Sequence, residues 1–286
     1  MAEVEKLGVL GAGVMGAAIA HTAALHGIPA ACVDLEPSIL ERARARLDHL
    51  MKDRIARGKM TEEEREAVWE RLHFSVDFDA LADATWIVEA IVEDLAAKRD
   101  AFSRLDALNP RARILASNSS SLSITAMAAA TRRPERVLGL HFFNPPQVMK
   151  LVEVIAGLQT SPEALEEGKA LAQRMGRVPV LVKKDRPGYI VNRILMAQFI
   201  EALRLLEEGV ASMEDIDTAV KLGLNYPMGP FTLMDFTGND VNYHVLEYLY
   251  NETGDPYYKP PLVLKNLYLS GHLGRKSGKG FYTYDS

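Results

Sequence analysis

A glycine-rich segment near the N-terminus, GAGVMG at residues 11–16, constrains this chain more than any other feature. It follows the apolar run 7–10, which predicts a buried strand. It opens the apolar stretch 14–26, which predicts a helix that ends at Gly27. The apolar run 28–33 predicts a second buried strand. Strand, helix and strand within about thirty residues are typical of a parallel crossover unit, so a parallel sheet covered by helices is expected.

The three glycines of this segment each suit one task in binding a dinucleotide. Gly11 permits a tight turn, Gly13 lets a diphosphate approach the positive end of the helix, and Gly16 lets the helix pack closely on the sheet. Asp34 ends the second strand, where a carboxylate accepts hydrogen bonds from ribose hydroxyls and repels a 2'-phosphate. A glycine-rich turn without a ligand is the alternative, but the flanking strand, helix and Asp34 favour NAD. The residues of this unit predicted to contact NAD are Gly11, Ala12, Gly13, Val14, Met15, Gly16 and Asp34.

Strand and helix signals alternate along most of the remaining chain. Residues 37–72 predict a helical hairpin, and strands are expected at 86–90, 114–116, 137–143, 151–155 and 178–182. After Pro187 the signals are helical only, at 187–208, 213–222, 231–250 and 262–269. We therefore expect a Rossmann-type doubly wound α/β domain (1–185) with a helical-hairpin insertion near 37–72, followed by an all-α domain (186–286).

The bulk composition excludes several classes of protein. A net charge of −5 does not suit a general nucleic-acid binder, which needs a basic surface. No run approaches the ~18 apolar residues of a membrane helix. The strand signal at Leu7 leaves no room for a targeting peptide. The single cysteine, Cys32, forms no internal disulfide, and its apolar neighbours predict a core position. We expect a cytoplasmic protein without nucleic-acid or membrane partners.

Oxidation of an alcohol requires a base that titrates near neutrality, and His141 is the best candidate among seven histidines. It ends a predicted strand, where the sheet faces the cofactor. Glu153 lies on the next apolar segment. If the two segments pair as antiparallel neighbours about a turn centred near Gln147, these residues fall opposite one another, and the carboxylate can orient the imidazole. The alternative is a structural histidine at a strand end, whose hydrogen bonds are made but which has no catalytic role.

Two polar segments add further candidates. Residues 117–121 (SNSSS) follow a predicted strand, so their hydroxyl and amide groups can bind a substrate oxygen or the nicotinamide. Ser121 or Ser123 also suits the N-cap of the next helix. Residues 42–59 hold seven basic residues in an acidic protein, and a basic surface there can bind the phosphates of coenzyme A. A solvated helix face is the alternative. The candidates for the phosphates are Lys52, Arg57 and Lys59.

Several long sequence motifs follow one another in a fixed order along this chain. They are GAGVMG, VEAIVED, SNSSSLSI, HFFNPPQVMKLVEV, DRPGYIVNRIL, EDIDTAVKLG, YPMGPFTLMDFTGND and GRKSGKGFY. With them the chain resembles the 3-hydroxyacyl-CoA dehydrogenase family over nearly its whole length, above all the short bacterial 3-hydroxybutyryl-CoA type. The resemblance implies NAD-dependent interconversion of (S)-3-hydroxyacyl-CoA and 3-oxoacyl-CoA, a place in fatty-acid β-oxidation chemistry, and no metal.

The resemblance also implies roles for individual residues. His141 is the expected base and Glu153 its partner, while Ser120 and Asn192 lie around the substrate oxygen. A cleft between the domains and a homodimer formed through the helical domain are further implications. The open alternatives are a related NAD-dependent dehydrogenase of a sugar acid such as gulonate and a non-catalytic NAD-binding protein. The further NAD contacts implied are Glu93, Lys98, Asn118, Ser120, Asn144 and Lys276, with Ser120 also near the acyl-CoA.

Overall fold

The computed structural model describes residues 5–284, which contain one eight-stranded sheet. The strand order is β3-β2-β1-β4-β5-β6-β7-β8. Neighbouring strands are parallel except for β6 and β7, which pair antiparallel. The strands are β1 (Leu7–Leu10), β2 (Ala30–Val33), β3 (Leu72–Ser75), β4 (Trp86–Glu89), β5 (Ile114–Ser117), β6 (Val137–Phe142), β7 (Leu151–Ala156) and β8 (Val178–Val182).

The central strands are mostly apolar because helices cover both faces of the sheet. Their polar residues, Glu89, Ser117 and His141, lie at or next to the carboxyl ends. Every residue of β1, β2, β4, β5 and β6 is buried. The chain reverses its direction of progress across the sheet between β1 and β4. A crevice opens at the carboxyl ends of the strands at such a reversal, and it is where ligands bind in this fold. The predicted doubly wound α/β fold is confirmed.

Six α-helices accompany the sheet within residues 5–186. Their ends follow local signals: Pro37 stands in the first turn of α2, and Thr61 and Glu64 form a reciprocal capping box at the start of α3. Ser161 caps α6 by accepting the N–H of Ala164. The helices are α1 (Val14–Leu25), α2 (Pro37–Ala56), α3 (Glu62–Arg71), α4 (Leu95–Leu108), α5 (Ile124–Ala128) and α6 (Pro162–Arg174).

The chain divides into two compact units, Met1–Arg186 and Pro187–Ser286. The described part of the second unit is helical and has its own core around Phe199, Leu203 and Leu246. Within residues 5–284, no helix combines the length and the apolar character that crossing a bilayer requires. The helices of the second unit are α7 (Val191–Glu207), α8 (Met213–Gly223), α9 (Pro230–Thr237), α10 (Asn239–Thr253) and α11 (Leu262–Leu269).

Three predicted elements were wrong in detail. The helix expected from residue 187 begins at Val191, because Gly188 and Tyr189 have left-handed φ angles of 74° and 48°. The single helix expected over 231–250 is two helices, since the chain turns at Gly238 with φ 101°. Residues 72–75 form the edge strand β3 beside β2, where the helical hairpin was expected to end.

Candidate active site

The glycine-rich turn between β1 and α1 is sterically specified. Gly11 has a φ of 100°, and a Cβ there would lie 2.6 Å from the Ala90 carbonyl oxygen. A Cβ on Gly16 would lie 1.9 Å from the Gly11 carbonyl oxygen. Both positions therefore exclude a side chain. A Cβ on Gly13 would meet nothing within 4 Å, so open space faces the N-terminal turn of α1, where Val14 is exposed. This space at a helix N-terminus fits the diphosphate of NAD.

Asp34 lies at the end of β2, beside the glycine-rich turn. Its Oδ2 atom accepts the backbone N–H of Ala12 at 2.7 Å, which fixes the carboxylate against the turn. Both Asp34 and Gly13 line a cavity of about 570 Å³, whose other lining residues include Ile91 and Ala101. Its walls are mostly apolar, and its charged lining residues are Asp34, Asp100 and Arg104. Apolar walls with a carboxylate at the end of β2 suit the adenosine half of a dinucleotide.

A buried ion pair stands at the carboxyl ends of β4 and β5. The Lys98 side chain is 1% exposed, and its Nζ lies 2.5 Å from Glu89 Oε1 and 3.3 Å from Glu93 Oε2. Glu89 is fully buried and also accepts the Ile91 N–H and the Ser117 hydroxyl, both at 2.7 Å. The buried Glu89 carboxylate thus accepts hydrogen bonds from three different parts of the chain. Such bonds offset the cost of burying its charge.

Glu89 is a site residue that the sequence analysis did not assign. The signal was available, since an acidic residue at the end of a buried apolar strand needs a partner. The polar segment after β5 joins the same cluster. Ser119 donates to Glu93 Oε1 at 2.5 Å, and Asn118 Oδ1 accepts the N–H of Phe142 at 3.0 Å. The helix N-cap in this segment is Ser123, one of the two predicted candidates.

His141 and Glu153 are cross-strand partners on β6 and β7. The antiparallel register places His141 directly opposite Glu153, which confirms the pairing predicted about a turn near Gln147. His141 Nδ1 lies 2.7 Å from Glu153 Oε2. The carboxylate is fully buried and the imidazole is 6% exposed, with the Phe143 ring 4.5 Å away between centroids. Burial and the short contact hold the ring in one orientation.

This arrangement suits acid–base chemistry. When Nδ1–H donates to the Glu153 carboxylate, the lone pair of the neutral His141 ring is on Nε2. The carboxylate then stabilises the imidazolium that forms when Nε2 takes a proton. Glu153 therefore fixes both the tautomer and the direction of the proton-accepting nitrogen.

The remaining predicted residues are distributed over both units. Ser120 is half-buried in the segment after β5, and Asn144 is exposed in the loop after β6. Asn192 is the second residue of α7. Lys276 pairs with Asp240 at 2.6 Å. The first unit thus brings Glu93, Lys98, Asn118, Ser120 and His141 to the carboxyl-terminal edge of its parallel strands, whereas Asn192 and Lys276 belong to the second unit.

The basic residues predicted to bind phosphates differ in their surroundings. Lys52 Nζ lies 2.8 Å from Asp48 Oδ2, and Lys52 and Arg65 together hold the pKa of Asp48 at about 2. Arg57 lies 3.1 Å from Asp53. Both basic side chains are largely exposed and already paired along α2. Lys59 follows α2 and lines a separate polar cavity.

Comparisons with known proteins agree with this geometry. The model of the 3-hydroxyacyl-CoA dehydrogenase NAD-binding domain matches residues 6–186, and the model of the C-terminal domain matches residues 188–284. A probable 3-hydroxybutyryl-CoA dehydrogenase of Bacillus subtilis is 44% identical over 283 residues, 99% of this chain and 98% of the relative. The 3-hydroxybutyryl-CoA dehydrogenase of Mycobacterium tuberculosis is 39% identical, covering 98% of this chain and 99% of the relative.

Solved structures give the same result. The crystal structure of (S)-3-hydroxybutyryl-CoA dehydrogenase from Ralstonia eutropha is 38% identical, with a TM-score of 0.95 over 99% of this chain and 100% of that chain. Both family models and relatives of nearly equal length therefore cover the chain from end to end. The chain belongs to the 3-hydroxyacyl-CoA dehydrogenase family.

Proposed function

We propose that this chain is an NAD-dependent dehydrogenase that interconverts (S)-3-hydroxybutyryl-CoA and acetoacetyl-CoA. The observation that supports it most is the buried His141–Glu153 pair, 2.7 Å apart, at the carboxyl end of a dinucleotide-binding sheet. A protein that only bound NAD would not need this pair. The relatives named above act on a coenzyme A thioester, which favours this substrate class over a sugar acid.

The proton transfers are assigned to His141. In the oxidative direction its Nε2 accepts the proton of the 3-hydroxyl group, and Glu153 stabilises the resulting imidazolium. In the reductive direction the imidazolium returns the proton to the forming alkoxide. NAD, when bound, supplies the hydride acceptor at the substrate carbon. Ser120 and Asn192 are proposed to hydrogen-bond the substrate oxygen on which this proton moves.

The cofactor contacts are proposed as follows. The backbone of residues 11–16 binds the diphosphate, and Asp34 accepts hydrogen bonds from the adenine ribose. Lys98 contributes a buried positive charge beside the strand ends. The other proposed contacts are Glu93, Asn118, Ser120, Asn144 and Lys276.

Two further proposals concern the location of the protein and its assembly. We place the protein in the cytoplasm, where a reducing environment suits the single free cysteine, Cys32. We also propose a homodimer formed through the second, helical unit, as the family resemblance implies.

The activity is tested by following NADH oxidation with 3-oxoacyl-CoA substrates of increasing chain length and with free 3-oxo acids. We expect turnover of acetoacetyl-CoA and much slower turnover of the corresponding free acid. Faster turnover of the free acid than of any thioester would overturn the proposed substrate class. NADH binding without turnover of either class would indicate a non-catalytic protein.

A further inference from the structure

The turn that follows β5 carries two of the proposed site residues, Asn118 and Ser120, but has no regular structure. Residues 118–122, which we call the serine segment, lead from β5 towards α5 without forming helix or strand. Buried backbone N–H groups need acceptors wherever they lie. The position of the serine segment therefore depends on the groups that accept its backbone N–H groups.

The support of the serine segment begins at Glu89. This carboxylate is fully buried, and the parallel register of β4 and β5 places it beside Ser117, the last residue of β5. Glu89 Oε2 accepts the Ser117 hydroxyl at 2.7 Å, and the Glu89 carbonyl oxygen accepts the N–H of Asn118 at 2.8 Å. Ser117 Oγ in turn accepts the N–H of Ser119 at 3.1 Å. Glu89 thus fixes the start of the segment through both its side chain and its backbone.

The Ser119 hydroxyl extends this support to the other side of Ser120. Its Oγ atom accepts the N–H groups of Ser121 at 3.3 Å and Leu122 at 2.9 Å, and it donates to Glu93 Oε1. A hydroxyl has one donor and two acceptor positions, so Ser119 uses all three. The backbone on both sides of Ser120 is therefore held by serine side chains.

The serine segment is also tied to the strand that carries His141. Asn118 Oδ1 accepts the N–H of Phe142 at 3.0 Å, and Phe142 follows His141 on β6. Because the segment and β6 are joined here, a displacement of the segment changes the position of Ser120 relative to His141. A misplacement of about 1 Å can lower the rate of an enzyme about a hundredfold.

Stability alone does not explain these buried polar groups. A buried ion pair such as Glu89–Lys98 is often no more stabilising than well-packed apolar side chains of similar volume. Apolar side chains, however, accept no hydrogen bonds. The carboxylate and the serine hydroxyls hold the N–H groups of a segment that lacks regular structure, which apolar residues would leave unsupported.

We propose, on the basis of the proposed function, that Ser117 and Ser119, anchored on Glu89, are positioning residues for the reaction. They hold Ser120 at the place relative to His141 where it can hydrogen-bond the substrate oxygen. Ser117 is fully buried and Ser119 is 1% exposed, so both act through Ser120 and not on the substrate itself.

The test measures the reduction of acetoacetyl-CoA by NADH in Ser117→Ala and Ser119→Ala. Each variant should lower kcat by roughly ten- to a hundredfold, because Ser120 is displaced. KM for NADH should stay at the wild-type value in Ser117→Ala. Ser119→Thr, which restores the hydroxyl, should recover most of the kcat that Ser119→Ala loses.

Thr160→Val is the matched control, because it removes a hydroxyl with equivalent contacts at the opposite end of β6. Thr160 Oγ1 donates to the Val137 carbonyl oxygen and accepts the N–H of Gly157 at 2.8 Å. The midpoint of urea unfolding should fall in Thr160→Val as it does in Ser117→Ala. Only Ser117→Ala should lose kcat, so a loss of kcat in proportion to stability in both variants would overturn the proposal.

A double-mutant cycle with Ser120→Ala separates positioning from a general structural role. In the Ser120→Ala background, Ser117→Ala should cause no further loss of kcat, since the group that it positions is absent. A loss by the same factor in both backgrounds would overturn the proposal, as would unchanged kcat in both Ser117→Ala and Ser119→Ala.

The remaining outcomes are also decisive. If Ser117→Ala does not fold, Ser119→Ala and Ser119→Thr take its place in the same cycle. A Ser119→Thr variant as slow as Ser119→Ala would exclude the hydroxyl as the group responsible and would overturn the proposal. Absence of wild-type turnover with every thioester would overturn the proposed function, and this assignment with it.

Discussion

Two buried carboxylates, Glu89 and Glu153, each hold one basic side chain near the carboxyl-terminal edge of the sheet. Glu153 orients His141, and Glu89 is paired with Lys98 at 2.5 Å. Burying such charges is costly, and the cost is offset only when the pair and its other hydrogen bonds are complete. These two pairs therefore hold the Lys98 and His141 side chains in place through contacts within the protein.

We predict that breaking the Glu89–Lys98 pair strongly lowers the stability of the fold. Glu89→Gln leaves the ammonium of Lys98 buried without its main counter-ion, so the free energy of unfolding should fall by about 3 kcal/mol. The control is Glu93→Gln, because Glu93 contacts the same ammonium at 3.3 Å but is 42% exposed. It should lose about 1 kcal/mol or less. Urea unfolding at neutral pH measures both, and equal losses would contradict the assigned roles.

His21 predicts a dependence of stability on pH. This imidazole is fully buried and has no hydrogen-bond partner among residues 5–284. Burial, followed by the charge of Arg54, lowers its pKa from 6.5 to about 4. Between these values the unfolded chain binds a proton that the folded chain excludes, so stability falls as pH falls. From pH 7 to pH 5 the contribution is about 2 kcal/mol.

Urea unfolding of His21→Gln at both pH values tests this prediction. The loss of stability on acidification should be smaller in the variant than in wild type by that amount. A matched substitution of the exposed His73 should leave the wild-type loss intact. If His21→Gln loses as much stability as wild type, the buried imidazole is not the group responsible.

At the scale of elements, the β6–β7 hairpin brings His141 and Glu153 together, and its register was predictable from sequence. Two apolar runs flank a proline-containing turn, and residues 141 and 153 are equally distant from its centre. The same applies to the β1–α1 turn, whose glycines follow a strand and open a helix. The local sequence pattern is enough to predict the structure where a motif is short and each of its residues meets one steric requirement.

Other elements depended on tertiary context and were missed. Strand β3 contains only four residues and exists because β2 offers an edge to pair with. The break between α9 and α10 depends on a single glycine, Gly238, in a continuous helical pattern. Glu89 was missed although its place at the end of a buried strand indicated a buried partner, because that partner, Lys98, is on another element.

We predict that Asp34, beside the β1–α1 turn, determines the preference for NAD over NADP. Asp34→Ala removes the carboxylate proposed to bind the ribose hydroxyls and to repel a 2'-phosphate. The ratio of kcat/KM for NADH to that for NADPH should fall by roughly tenfold or more, as expected for a hydrogen bond to a charged group. Glu36→Gln, two residues away and exposed, is the control. An unchanged ratio in Asp34→Ala would mean that the ribose binds elsewhere.

At the scale of the whole molecule, each unit has its own hydrophobic core, and each is matched by its own family model. The second unit also exposes large apolar side chains, including Ile194 at 66%, Leu222 at 74% and Leu262 at 70%. These side chains are the candidates to be covered in the proposed dimer contact.

Sedimentation equilibrium tests the proposed assembly. Two chains of 31.6 kDa give a dimer of about 63 kDa, which is the mass expected at micromolar concentration. The same measurement on Leu222→Lys and Ile194→Lys tests whether the exposed apolar side chains take part, because a buried lysine would weaken the contact. A wild-type mass of one chain across the concentration range would contradict the dimer.

The most direct test of the account is the kcat of His141→Ala with acetoacetyl-CoA and NADH, measured beside NADH affinity. We predict a fall in kcat of roughly a hundred- to ten-thousandfold, because general acid–base catalysis is lost. NADH affinity should stay at the wild-type value. His244→Ala, which removes a largely exposed histidine of the second unit, should retain wild-type kcat. Near-normal turnover by His141→Ala would contradict the assignment of the proton transfer to the His141–Glu153 pair.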